Sequence, residues 1–161
     1  MQLNIIFLDL DGVLITNWSD QQPIEKRFKQ FGKPFNPEGV EVIKHIIDNF
    51  DAVIVLTSDW RYIFNQNQLI EYFAYNNVFA KLTPIPYDYR IDFRDKTQYP
   101  NYKELRRSKE IQVYVEEYKP NNFVIIDDMD LVCYQNKFVK TNTVTGLNKS
   151  DLPKILSILQ N

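Results

Sequence analysis

Only one cysteine, Cys133, occurs in the 161 residues, so no disulfide can close within the chain, and a reducing compartment, the cytoplasm, is the expected setting. Long hydrophobic runs are missing too: no apolar stretch approaches the roughly 20 residues needed to cross a bilayer. The opening Met1-Gln2-Leu3-Asn4-Ile5-Ile6-Phe7 has neither a basic leader nor a small-residue cleavage site, so neither export nor membrane insertion is expected. An excess of positive charge is also lacking. With 19 basic and 21 acidic residues the net charge is -2 and the pI near 5.4, which excludes bulk electrostatic capture of nucleic acid and leaves only local contact with one. No internal repeat or low-complexity linker divides the chain. Its 44% hydrophobic and 25% charged residues are ordinary for a globular protein, and the length suits one domain with a full core.

What is present is an alternation of short apolar runs and amphipathic stretches. Leu3 to Leu8 reads as a buried strand halted by Asp9-Leu10-Asp11-Gly12. Asn36-Pro37-Glu38 has the form of a helix start, and Val40, Ile43, Ile46, Ile47 and Phe50 follow at helical spacing. Ala52 to Leu56 is a second strand, ended by Thr57-Ser58-Asp59-Trp60-Arg61, and Tyr62 to Tyr75 is compatible with a helix. Val78 to Leu82 reads as a short third strand, broken by Thr83-Pro84-Ile85-Pro86. A small lid or loop insertion is expected over 83–103, then a helix from Glu104 to Glu117, a strand at Phe123 to Ile126 halted by Asp127-Asp128, a last strand within Lys137 to Val144, and a C-terminal helix opening at Lys149 to Pro153. Strands alternating with helices predict a single Rossmann-like α/β domain over 1–161, mainly parallel, without a large cap domain.

Three of these strands end in acidic or hydroxyl residues: Asp9 and Asp11, Thr57 and Ser58, Asp127 and Asp128. In an open α/β sheet ligands bind beyond the carboxyl ends of the strands, so groups distant in sequence can converge there. Carboxylates gathered at one edge call for a cation, and an all-oxygen set suits Mg2+. Asp9 and Asp11 stand at i and i+2, leaning to one side of an extended chain, with Gly12 permitting a tight turn behind them. One can stay ionised as a nucleophile while the other carries a proton. Thr57 offers a hydroxyl to a phosphoryl oxygen, with the Ser58 amide beside it at a helix N-terminus.

Phe7-Leu8-Asp9-Leu10-Asp11-Gly12-Val13-Leu14 resembles the first motif of the haloacid-dehalogenase (HAD) superfamily; Thr57 resembles its second, Asp127-Asp128 its fourth, in the same order. A closer resemblance is to the HAD domains of "Swiss Army Knife" RNA-repair proteins, through Thr57-Ser58-Asp59-Trp60-Arg61, the Thr83-Pro84 turn, Arg107-Ser108-Lys109-Glu110-Ile111 and Thr145-Gly146-Leu147. This resemblance implies a phosphatase: Asp9 attacks phosphorus, Asp11 protonates the leaving oxygen and then activates water, and Asp9, Asp11, Asp127 and Asp128 surround Mg2+. The third-motif cation is Lys109 or Arg107, with Lys109 preferred; Arg61, Arg107, Thr57 and Ser58 are expected to bind substrate. The substrate is a phosphorylated small molecule or nucleic-acid end, with oligomeric state left open.

Plainer readings exist for the same residues. Thr57-Ser58-Asp59 could only cap a helix, Asp127-Asp128 could be a turn, and Lys109 and Arg107 could lie on a solvated helix face. Trp60 reads as a packing residue positioning Arg61, His45 as a surface residue and Cys133 as structural. Aromatics and cations interleaved between Tyr87 and Lys109 could stack bases, but interspersed acids favour a solvated loop. Two other classes of function compete: a phospho-accepting receiver-like signalling module and a catalytically idle interaction protein of HAD fold. Receivers place an acidic pair after the first strand and accept phosphate on an Asp after a later one, a spacing unlike Asp9, Asp11 and Gly12.

Overall fold

Alternate side chains of each strand point to opposite faces of the sheet, and here both faces are apolar, which requires helices above and below. The computed structural model describes residues 4–23 and 30–160, so Leu3 of the expected first strand lies outside the described residues. Five parallel strands run in the order β3-β2-β1-β4-β5, with β1 (Asn4–Leu8) at the centre between β2 (Ala52–Leu56) and β4 (Asn122–Asp127). The edges are β3 (Leu82–Pro84) and β5 (Phe138–Lys140). This is a single Rossmann-like domain, with no cap domain among the described residues.

Ile6, Leu8, Ile54, Leu56, Val124 and Ile126 face one core layer, shared with Val42, Ile43 and Ile46 of α2 (Pro37–Phe50), Leu69 and Tyr72 of α3 (Gln66–Tyr75) and Ile155 of α5 (Leu152–Gln160). Ile5, Phe7, Val55 and Ile125 face the other, where Ile111 and Tyr114 of α4 (Tyr102–Tyr118) close the core. α2 starts as its sequence indicates, with the Asn36 side chain accepting from the Glu38 amide at 3.0 Å. A short α1 (Asn17–Gln21) precedes it, which no periodicity announced.

Two elements differ from expectation. The stretch from Tyr62 to Tyr75 is not one helix: a 3-10 turn at Asp59–Tyr62 comes first, and α3 begins only after Asn65, whose side chain accepts from the Gln68 amide at 3.0 Å in a capping box. The third strand covers Leu82–Pro84 rather than Val78 to Leu82. Pro84 is tolerated because β3 is an edge strand, where the missing amide interrupts no ladder. Between β3 and α4 no helix or strand forms. There Arg90 pairs with Asp88 at 2.7 Å and lies 3.6 Å over the Tyr62 ring, and Lys96 lies 5.3 Å over Tyr102, so these cations are already engaged by the protein.

Candidate active site

The carboxyl ends of β2, β1 and β4 lie side by side, and that adjacency brings Thr57, Asp9 and Asp127 together. The Asp9 amide donates to the Ile126 carbonyl at 3.1 Å and the Thr57 amide to the Leu8 carbonyl at 2.9 Å, so the sheet's hydrogen bonding extends to the first polar residue. Asp9, Thr57 and Asp127 are buried, at 4%, 1% and 0% exposure, depths at which an unpartnered carboxylate is costly. Carboxylate oxygens of Asp9, Asp127 and Asp128 lie within 4.8 Å of one another, a group able to hold a metal ion. The Asp11 side chain is not part of it. Asp11 stands at the exposed rim, where its Oδ2 accepts a hydrogen bond from Trp60 Nε1 at 2.9 Å.

The chain between Asp9 and Ile15 turns tightly, with the amides of Val13, Leu14 and Ile15 all donating to the Leu10 carbonyl. Gly12 makes this possible at φ +71°, and a Cβ there would fall 2.2 Å from Asp128 Oδ2. The Thr141 hydroxyl fastens the turn by donating to the Gly12 carbonyl at 2.8 Å, and Thr143 donates to Asp128 Oδ2 at 3.1 Å. Gly12→Ala combines a left-handed backbone with displacement of Asp128, and a stability loss of about 1–2 kcal/mol or more is expected in urea unfolding.

α4 supplies the cation. Arg107 Nη1 lies 2.7 Å from Asp9 Oδ2 and 2.7 Å from Asp127 Oδ2, its side chain only 5% exposed. Lys109, the residue preferred on sequence grounds, points to solvent. The reason is helical geometry: Arg107, Ile111 and Tyr114 share the buried face at i, i+4 and i+7, and position 109 lies on the opposite side. Burial by itself would favour a neutral Arg107, but Asp9 and Asp127 outweigh it and raise its pKa. Burial pushes the Asp127 carboxyl up, opposed by Arg107, while the amide of Met129 donates to Asp127 Oδ1 at 3.0 Å. Asp128 is raised by burial and by Asp9, and Asp11 by burial against the lowering effect of Trp60.

Arg61 does not reach the site as a free phosphate clamp. Its Nη2 pairs with Glu110 Oε2 at 2.6 Å and also donates to the Tyr62 hydroxyl at 2.6 Å, and Nη1 donates to the Thr57 carbonyl. Glu110 is fully buried and needs a cation, which explains the capture of Arg61. Arg106 joins the network through Asp59 at 2.5 Å and Glu110 at 3.8 Å. Sequence reasoning missed this network, although Arg106 and Glu110 at i, i+4 on one helix were a signal for part of it. Ser58 caps the 3-10 turn, its hydroxyl accepting from the Trp60 amide at 3.5 Å, whereas the buried Thr57 hydroxyl has no hydrogen-bond partner among the described residues.

Beside Asp11 opens a polar cleft of about 190 Å³, lined by Gly12, Thr16, Asn17, Asp20, Lys33 and Thr143. A roomier cleft of about 400 Å³ bordered by Phe35, Val40 and Tyr75 includes none of the site's aspartates. No helix among the described residues is long and apolar enough to cross a membrane. Residues 5–152 match the family model described as the HAD domain in Swiss Army Knife RNA repair proteins. No curated protein matches the chain.

Proposed function

The chain belongs to the HAD domains found in Swiss Army Knife RNA repair proteins, and from that premise we propose that it is a magnesium-dependent phosphomonoester hydrolase that passes a phosphoryl group through Asp9. Membership itself points to phosphatase-type chemistry. The observation that carries the finer reading is the state of Asp9: Oδ2 is held by Arg107, and Oδ1 is buried with no hydrogen-bond partner among the described residues. A buried carboxylate oxygen without a hydrogen-bond partner among the described residues, beside Asp127 and Asp128, suits a bound cation.

The residues fit a hard divalent cation. Three carboxylates, Asp9, Asp127 and Asp128, face one guanidinium, and all their donors are oxygens. These three would hold magnesium, which when bound neutralises charge on the phosphoryl oxygens. The remaining work falls to the chain's own groups. An Asp9 oxygen attacks phosphorus; Arg107, paired with Asp9 Oδ2, keeps that carboxylate aimed; the Thr57 hydroxyl donates to a phosphoryl oxygen. Asp11, exposed and with a raised pKa, protonates the leaving oxygen, then takes a proton from the water that hydrolyses the aspartyl-phosphate. The leaving group lies in the cleft beside Asp11. With no cap domain over the site, a bulky substrate fits, and a nucleotide or nucleic-acid terminal phosphate is the proposed class. A reducing cytoplasm suits the buried thiol of Cys133.

Hydrolysis of an aryl phosphate by the purified chain is expected to cease with chelator and to return with magnesium; activity indifferent to chelation contradicts the proposal. Magnesium is also expected to raise the melting temperature. At a hundredfold excess over Kd the stabilisation is about 2.7 kcal/mol, roughly 5–10 °C for a domain of this size. In Asp128→Asn that rise should shrink or vanish.

A further inference from the structure

Trp60 lies outside the acidic cluster, yet its indole reaches Asp11. Nε1 donates to Asp11 Oδ2 at 2.9 Å, across 49 residues of chain. The indole is held from behind: it stacks on Tyr72 with centroids 5.1 Å apart and planes 9° apart, and leans on Phe64 at 5.5 Å. Tyr72 is itself fully buried, packed between Phe31 and Phe35. From below, the backbone of Trp60 is set by the 3-10 turn that Ser58 caps. The ring is therefore fixed by the core, whereas Asp11 stands at an exposed rim where a carboxyl would otherwise rotate.

We infer that Trp60 is a positioning residue for proton transfer, its indole N–H fixing the Asp11 carboxyl so that the proton destined for the leaving oxygen sits on Oδ1. The reason is the chemistry of the donor. An indole nitrogen only donates, so the oxygen facing it, Oδ2, must present a lone pair in either protonation state of Asp11. In the protonated acid the carbonyl oxygen accepts more strongly than the hydroxyl oxygen, so this hydrogen bond favours the arrangement with the hydrogen on Oδ1 and restrains the carboxyl's rotation. In the step itself the Asp11 Oδ1–H bond breaks, the proton goes to the bridging ester oxygen, the P–O bond to the leaving group breaks with its electron pair staying on that oxygen, and the Asp9–phosphorus bond forms. A general acid held in one rotamer keeps more of its contribution than one that must be frozen during the reaction. The inference rests on the phosphatase reading above.

The test is Trp60→Phe, which keeps a ring to stack on Tyr72 and removes only the donor. Phosphorylation of Asp9 is compared through kcat/KM on two esters, a nitrophenyl phosphate, whose leaving group departs unprotonated, and an alkyl phosphate, whose leaving group cannot. Since general acid catalysis contributes about 10²–10⁴-fold, a loss of roughly tenfold to a hundredfold is expected on the alkyl ester and a several times smaller one on the nitrophenyl ester. In an Asp11→Asn background Trp60→Phe should lower alkyl-ester turnover little further, because the group it positions is already gone. The magnesium-induced rise in melting temperature should persist in Trp60→Phe, marking an intact acidic cluster. Equal losses on both esters, or an undiminished effect in the Asp11→Asn background, would overturn the inference alone. Absence of magnesium-dependent hydrolysis by the unaltered chain overturns the phosphatase reading and this inference with it.

Discussion

Asp9→Asn is expected to lower kcat by about three to six orders of magnitude while the protein stays folded, a loss of the size seen when the nucleophile of a covalent mechanism is removed. The replacement is nearly isosteric, so packing at the end of β1 is preserved. What changes is that a neutral amide is a poor nucleophile toward phosphorus. Stability should hold or rise, because removing one of three carboxylates that face a single guanidinium relieves repulsion among Asp9, Asp127 and Asp128. Turnover measured beside a circular-dichroism melt separates the two effects. Loss of activity with loss of fold, or retention of activity, contradicts the assignment of Asp9 as nucleophile.

Arg107→Leu should have the largest effect on stability. The guanidinium lies between two buried aspartates, and removing one partner of a buried ion pair costs about 3–5 kcal/mol because the remaining charge is left uncompensated. Chemical denaturation at neutral pH reads this loss. The pH dependence has a definite sign. Burial holds the folded-state pKa of Asp127 above its ordinary value, and the loss of Arg107, which opposes that rise, lifts it further. A folded carboxyl with a raised pKa takes up protons on folding, so stability falls as pH rises from the ordinary value of 3.8 through the folded one. The variant should therefore deviate least from the parent in acid and most at and above neutrality. Lys109→Ala serves as the contrast: it changes an exposed side chain, with an expected effect within about 0.5 kcal/mol and unaltered turnover. A reversed ranking of the two variants would return Lys109 to the site.

Much of the fold is legible in the sequence because parallel strands buried on both faces read as unbroken apolar runs with polar stops. Ala52 to Leu56 and Phe123 to Ile126 are of this kind, and Asn36-Pro37-Glu38 marks a helix start by local chemistry alone. The short edge strand is different. Its three residues are selected by register, Leu82 pairing with Ile54 and Pro84 with Leu56, and no local pattern distinguishes them from Val78 to Lys81.

The site divides in the same way. Asp9, Thr57 and Asp127 were legible because each ends a recognisable strand. Arg107 rather than Lys109 was legible too, had the buried face of α4 been traced back four residues from Ile111. The fate of Arg61 was not. It is decided by Glu110, 49 residues later, whose burial depends on how α4 lies against the 3-10 turn. The link from Trp60 to Asp11 is of the same long-range kind, since a Trp beside an Arg reads as packing until tertiary structure shows where its N–H points.

Mass spectrometry of the chain after acid quench during turnover of a phosphomonoester in magnesium tests the account at its centre. One phosphoryl group is expected on the peptide containing Asp9, absent from Asp9→Asn and from chelator-treated protein. Steady magnesium-dependent hydrolysis with the phosphoryl group found on another residue would contradict it.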